Sequence, residues 1–196
     1  VILANIFFYG EMGGQMCDTG TLTSSSNETH TILDTQVKNG VFLHIVETQS
    51  TLTGTVSLKI DHPRRQAIQR HHSATHLLNW ALRTHLGNHI QQAGSLVEDN
   101  RLRFDFRHFE ALTSEQLADI EASINQKILE NASVSSYEIP FQDKPNDVVA
   151  VFGEKYGEQV RVVDIGGYSK ELCGGTHVKA VGCLLYTSPS PRDALE

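Results

Sequence analysis

Two short patterns constrain this 196-residue chain more than anything else in it. The first is "HHSATHLL", in which His72 and His76 stand four apart. The second is "ELCGGTHV", in which Cys173 and His177 do the same, with Gly174 and Gly175 able to turn the chain between them. On a helix a spacing of four sends both imidazoles out of one face, about 6 Å apart along the axis. Taken together the pairs offer three imidazoles and one thiolate, a donor set suited to tetrahedral Zn²⁺. An isolated H-x-x-x-H is often a surface pair, and a lone C-x-x-x-H says less still. It is their co-occurrence in a chain with three cysteines that makes a metal site the stronger reading. Only the fold can unite the pairs, so the fold must bring a distant loop back to a helix. His71, His85 and His89 are read as solvated or structural. Because H-E-x-x-H is absent, the helix lacks the Glu of a zinc-protease helix.

The rest of the sequence supplies that frame. Asp61 can cap a helix and Pro63 fits its first turn. Ala67, Ile68, Leu77, Leu78, Ala81, Leu82 and Leu86 keep helical spacing, and Gly87 closes a helix of about 24 residues. Before it lie an apolar run at residues 1–9, read as a strand, and a glycine-rich loop, "GEMGGQMCDTG". "THTILDTQV", "GVFLHIVET" and "GTVSLKI" follow, short strands of a small barrel or meander. After it, "SLVEDNRLRFDF" reads as a hairpin turning at Asp99-Asn100. Thr113-x-x-Gln116 is a capping box that opens a second helix carrying Leu117, Ile120, Ile124 and Ile128. "SVSSYEIP", "QVRVVDIG" and "SKELC" read as strands, with a short helix expected over 146–152. The fold class is α+β: a partial small β-barrel over residues 1–60, then an α+β core over 61–182 with one long helix.

Composition excludes several classes. A net charge of −7 gives no global positive field for nucleic acid, so any RNA contact must be local. No apolar run has the length of a membrane span, and three cysteines make no disulfide framework. A reducing, cytoplasmic or organellar compartment is expected. The chain opens without Met inside an apolar run, and is read as part of a longer protein. Residues 183–196 resemble the translation of a sequencing-library adapter, the alternative being a Ser/Pro-rich linker. In either case they are set apart from the fold and expected to pack against nothing.

"HHSATHLLNWALRTHLG", "QAGSLVEDNRLRFDF", "EKYGEQVRVVDIG" and "ELCGGTHV" together resemble the editing domain of alanyl-tRNA synthetases, and "FFYGEMGGQMCDTG" resembles that family's glycine-rich segment before it. The related threonyl-tRNA synthetase domain typically has proline before the last histidine, where this chain has Thr176. The resemblance implies a hydrolase that removes serine or glycine from mischarged tRNA(Ala), because a pocket for alanine rejects neither strongly. It implies His72, His76, Cys173 and His177 as ligands of one zinc. Thr75 and Gln92 match catalytic or recognition positions, Gly13, Gly14 and Gln15 a substrate-flanking loop, and Glu171 an acidic residue behind the metal. Each has a plainer reading: Thr75 can bond back along its helix, Gly13-Gly14 can simply turn, Gln92 can merely precede a strand, and Glu171 can be a solvated strand residue. The family's ATP- and Mg²⁺-dependent ligase domain is expected upstream. The implied partner is the tRNA acceptor end, with no DNA and no membrane. The same motifs would suit a free-standing trans-editing deacylase or a zinc-stabilised RNA-binding module without turnover. Two departures stand out: Ile6-Phe7 where the family usually has Thr-Pro, and Cys17 where it usually has Gly.

Overall fold

The computed structural model describes residues 1–3, 5, 7–49, 51–151 and 156–186. It is an α+β arrangement of two helices and three antiparallel sheets among the described residues. The first sheet has the order β3-β2-β1-β4, with β1 at Gly20–Thr23, β2 at Thr29–Lys38, β3 at Val41–Val46 and β4 at Ser57–Ile60. Phe8, Leu22 and Ile32 are buried beneath it. Residues 1–9 are not the expected strand. Among their described members none pairs as a strand, and Phe8 instead plugs the sheet core at 2% exposure. β1 went unread because it offers only one apolar residue between threonines.

Helix α1, His62–Leu86, is the axis of the molecule and matches the sequence expectation at both ends. Asp61 accepts from the Arg64 N–H, Pro63 occupies the first turn, and Gly87 follows the last residue. Leu77 packs with Val163, Ile165 and Val181 on one side. Ala81 and Leu82 pack with Ile90 and Ile120 on another. Val163 and Ile165 come from the third sheet (β7 Val134–Pro140, β8 Gln159–Ile165, β9 Ser169–Leu172), Val181 from a turn after it, Ile90 from just before the hairpin (β5 Gln91–Val97, β6 Leu102–Arg107) and Ile120 from α2 (Ser114–Glu130). α2 opens with both halves of the Thr113/Gln116 capping box and ends on a left-handed Asn131.

The start of α1 is bolted to the first sheet by charge. Arg65 grips Asp18 with both Nε, at 2.7 Å, and an Nη, and Asp18 is only 2% exposed. Arg64 reaches Asp99 at 2.6 Å, tying the hairpin turn to the same helix end. Losing either partner of the buried Asp18–Arg65 pair would strand a charge, the costly case for buried ions.

Two further expectations are corrected. A short helix does not cover 146–151. Pro145 denies the segment one donor, and Val149 instead pairs alongside β9, donating to the Lys170 carbonyl at 2.8 Å and accepting from Leu172 N–H at 2.9 Å; Phe152 lies outside the described residues. Cys183–Tyr186 do not hang free. They continue a 3₁₀ turn over Val181–Tyr186, and Leu184, 4% exposed, joins the Leu77 cluster because an apolar side chain there finds a groove between α1 and α2. Residues 187–196 lie outside the described residues. No helix among the described residues is long and apolar enough to cross a membrane.

Candidate metal centre

α1 presents His72 and His76 with their rings nearly parallel, 5.3 Å between centroids. β9 ends at Leu172, and the next six residues turn back across that face of the helix, bringing Cys173 and His177 to it. Cys173 Sγ lies 3.4 Å from His72 Nε2 and 3.3 Å from His177 Nε2. One donor atom from each of the four residues falls within 4.8 Å of the others, somewhat wider than the roughly 4 Å that a closed tetrahedron requires.

The glycines explain how the turn fits. A Cβ on Gly175 would sit 2.0 Å from His72 Cε1 and 2.8 Å from Gln15 Oε1, so only glycine lets the loop close on the ring. Gly14 is in the left-handed region at φ 80°, and a Cβ there would meet the Ser95 carbonyl at 2.5 Å. That close approach lets the glycine-rich loop pair with β5, through Val97 N–H to the Gly14 carbonyl at 2.8 Å and Met16 N–H to the Val97 carbonyl at 3.0 Å.

Every imidazole of the cluster is held from behind. His72 Nδ1 meets Gln15 Oε1 at 2.7 Å, His76 Nδ1 meets Glu171 Oε2 at 3.1 Å, and His177 Nδ1 meets Ser73 Oγ at 3.2 Å. This fixes the rings so that Nε2 of each is the free donor, the usual supporting pattern around a metal. His76 Nε2 is buried with no hydrogen-bond partner. An orphaned buried nitrogen costs free energy unless something fills it, and a metal ion would. The electrostatics agree. Burial works against a thiolate at Cys173, yet the charge of His72 and hydrogen bonds from His177 and His72 outweigh it, holding the thiol well below its usual range. Burial opposes protonation of His76, but the Glu171 carboxylate wins and raises it to about 10. Burial lowers His177 to about 4. Cys173 and His177 are thus in the thiolate and neutral-imidazole forms a metal takes, while His76 is held protonated by Glu171 and would give up a proton on metal binding. His72, His76, Cys173 and His177 could therefore hold a metal ion.

The cluster forms one wall of a cleft of about 560 Å³. Thr75, Gln92, Gly13 and Gly14 line it, together with Ser95, Phe104, Tyr9 and Gly174. Thr75 donates its hydroxyl to the His71 carbonyl at 2.9 Å, the plainer reading of a helical threonine, while still facing the cleft. Gln92 donates to Ser95 Oγ at 3.1 Å. Gln15 differs from expectation. It is fully buried and is not among the residues that line the cleft. Its Oε1 serves His72 and the Thr176 N–H at 2.8 Å, and its Nε2 reaches Thr176 Oγ1 at 3.0 Å. It braces the cluster. Glu171 stands behind His76 and is the one acidic residue in the described cleft lining.

Sequence reasoning missed Ser73 and Arg161. Ser73 sits inside "HHSATH" and could have been found by asking which small polar residue neighbours the ligand pair. Arg161 gave no such sign within "VRVV". It donates to the carbonyls of Cys173 at 3.3 Å and Gly175 at 2.6 Å, and to Ser136 Oγ at 3.0 Å. The histidines set aside do hold structural contacts: His71 with the Glu98 carbonyl, His85 with Ser123, and His89 with His108. Cys17 lies apart from the cluster, its Sγ 3.0 Å from Asp34 Oδ1.

Comparison with known proteins joins this geometry to a family. Residues 1–64 match the family model for tRNA synthetases class II (A), and residues 160–183 match that for the threonyl and alanyl tRNA synthetase second additional domain. The alanine–tRNA ligase of Opitutus terrae is 51% identical over 180 residues, covering 87% of this chain and 19% of the relative. That of Hydrogenovibrio crunogenus is 50% identical over 186 residues, covering 93% and 21%. That of Dichelobacter nodosus is 49% identical over 183 residues, covering 90% and 21%. The chain thus spans about a fifth of the length of the curated relatives it matches. With the cysteine–histidine loop of the second additional domain closing on its long helix, and half its residues shared with these ligases over most of its length, the chain belongs to the alanine–tRNA ligase family.

Proposed function

We propose that residues 61–182 are the editing core of an alanine–tRNA ligase, preceded by a β subdomain at 1–60, and that they hydrolyse the ester of tRNA(Ala) mischarged with serine or glycine. The observation that carries this reading is the junction of the His72, His76, Cys173, His177 cluster with a cleft large enough for an aminoacylated terminal adenosine. A ligase pocket built for alanine cannot strongly reject glycine or serine, so a second hydrolytic sieve is the chemistry such a family needs. ATP and Mg²⁺ belong to the ligation step, and the tRNA acceptor end is the partner.

Three imidazoles and a thiolate favour zinc over the harder divalent ions. Zinc held by these four side chains would supply a Lewis acid for the substrate or a water beside it. The remaining roles fall to the chain. Gln15, Glu171 and Ser73 keep the three rings in one tautomer. Thr75, its hydroxyl donating to the His71 carbonyl, has lone pairs left to accept a hydrogen bond from a seryl hydroxyl. The nearest carboxylate is Glu171, and its partner is His76, so the described cleft lining offers no second carboxylate as general base. The terminal ribose hydroxyl of the RNA is suited to that task.

The test is deacylation of seryl-, glycyl- and alanyl-tRNA(Ala) by the purified, zinc-loaded chain. Hydrolysis of the seryl ester faster than the alanyl ester is expected. Retention of all three esters alongside tight tRNA binding would instead make the chain a non-catalytic RNA-binding module.

A further inference from the structure

Beside Cys173 stands an amide that the fold leaves unused. In the loop after β9, Cys173 N–H donates to the Arg161 carbonyl at 3.0 Å, Gly175 N–H to Cys173 Sγ at 3.4 Å, Thr176 N–H to Gln15 Oε1 at 2.8 Å and Val178 N–H to Ser73 Oγ at 3.2 Å. Gly174 N–H has no hydrogen-bond partner among the described residues, and Gly174 lines the cleft. Arg161 fixes its direction. The guanidinium holds the carbonyls of Cys173 and Gly175, the groups on either side of Gly174. A trans peptide aims its N–H opposite to its C=O, so the Cys173–Gly174 amide points away from Arg161, which is not part of the cleft lining. The neighbouring peptide obeys the same geometry: Gly175 C=O faces Arg161 while Thr176 N–H faces Gln15.

The residue type adds a second observation. Unlike Gly175, Gly174 is not forced to be glycine by crowding, since a Cβ there would meet nothing within 4 Å, nor by a left-handed conformation. It is exposed. A side chain at this position would project into open space at the cleft and screen the amide.

We propose that Gly174 N–H donates a hydrogen bond to the carbonyl oxygen of an aminoacyl ester in the cleft, and that Arg161 is the positioning residue that aims it. This rests on the hydrolase reading above and names how that site handles developing charge. Water adds its oxygen to the ester carbon, and the C=O electron pair moves onto the carbonyl oxygen, where Gly174 N–H meets it. Collapse re-forms C=O and expels the ribose oxygen, which leaves with the proton given up by the water. The products are a free amino acid and a ribose hydroxyl. A preorganised donor of this kind contributes on the order of 10²–10³-fold to kcat.

The experiment uses the ¹⁵N-labelled, zinc-loaded chain and 3′-seryl-amido-adenosine, in which an amide replaces the scissile ester. The Gly174 amide proton should move downfield and exchange more slowly on binding. Arg161→Met should keep its zinc and lose that response, with kcat for seryl-tRNA(Ala) falling roughly 10²-fold and KM little changed. Arg161→Lys, which can still donate to one carbonyl, should recover part of both. Should Arg161→Met fail to fold, glycolic acid in place of Gly174 removes the N–H alone and should give the same fall in kcat. An analogue that binds without moving the Gly174 resonance, or fails to bind, overturns the proposal, as does unchanged kcat in the glycolate protein. If Gly174 responds but the chain hydrolyses no ester, the donor assignment stands and the hydrolase reading falls.

Discussion

Gln15→Leu tests whether the glycine-rich loop belongs to the metal site. Gln15 is fully buried and makes three hydrogen bonds with both ligand-bearing segments: to His72 Nδ1 at 2.7 Å, Thr176 N–H at 2.8 Å and Thr176 Oγ1 at 3.0 Å. Leucine is close in volume, so the cavity contribution is small. What is lost is polar satisfaction. His72 Nδ1 and the Thr176 N–H are left without their acceptor, each costing roughly 1–3 kcal/mol, so about 2–6 kcal/mol of folding stability is at stake. A freed His72 ring can also rotate, and loss of such an outer partner typically lowers metal affinity 10–100-fold. Gln15→Glu retains an Oε1 acceptor for Thr176 and His72 and should hold zinc more tightly than the leucine variant. The assay pairs urea unfolding with zinc competition against a chromophoric chelator. A leucine variant whose zinc affinity stays within twofold of the parent, with an unchanged unfolding midpoint, would show that Gln15 merely fills space.

Cys173→Ala should lose zinc and stability together, while Cys17→Ala keeps full zinc content; elemental analysis of both purified variants decides, and a reversal of the pattern would sink the ligand assignment. Thr75→Val keeps volume but removes the acceptor facing the cleft, so seryl-over-alanyl selectivity in deacylation should fall roughly tenfold, about the worth of one hydrogen bond. Burial lowers His44 below its ordinary value, and both its ring nitrogens lack partners. The unfolded chain therefore takes up a proton here below about pH 6.5 that the folded chain resists, and stability falls as pH drops through that value, with no effect above it. In His44→Leu this part of the acid sensitivity should vanish, read as a smaller shift of the urea midpoint between pH 7.5 and 5.5 than in the parent.

How much of this was legible depended on whether a side chain announces its role through local spacing. The bounds of α1 were readable because Asp61, Pro63 and Gly87 act within a turn of themselves. The four cluster residues were readable because each pair is local, even though the pairs meet only through the fold. Residues 1–9 misled because apolar character fits a strand and a core plug equally well. Over 146–151 helical composition lost to β9, whose edge offered Val149 backbone partners no local pattern reveals.

The braces of the site were the least legible part, for a physical reason. The bracing role of Gln15 was hidden because its motif lies beside glycines that line the cleft. The left-handed Gly13 and Gly14 reverse the chain there, with Met12 and Gln15 exchanging backbone hydrogen bonds at 3.0 and 3.3 Å, so the next side chain turns inward. Arg161 is separated by 12 residues from the cysteine it holds, and its contacts run to carbonyls, which every residue carries and no sequence pattern marks. Such a residue is found only by asking where each backbone group of the ligand loop goes. That accounting also isolates Gly174 N–H. The Cys173 and Gly175 carbonyls are taken by one guanidinium and the amides of Gly175, Thr176 and Val178 by Cys173 Sγ, Gln15 and Ser73, whereas the Gly174 N–H, on a residue that lines the cleft, is left over. A loop built only to hold a metal has no need to leave that donor free and unscreened.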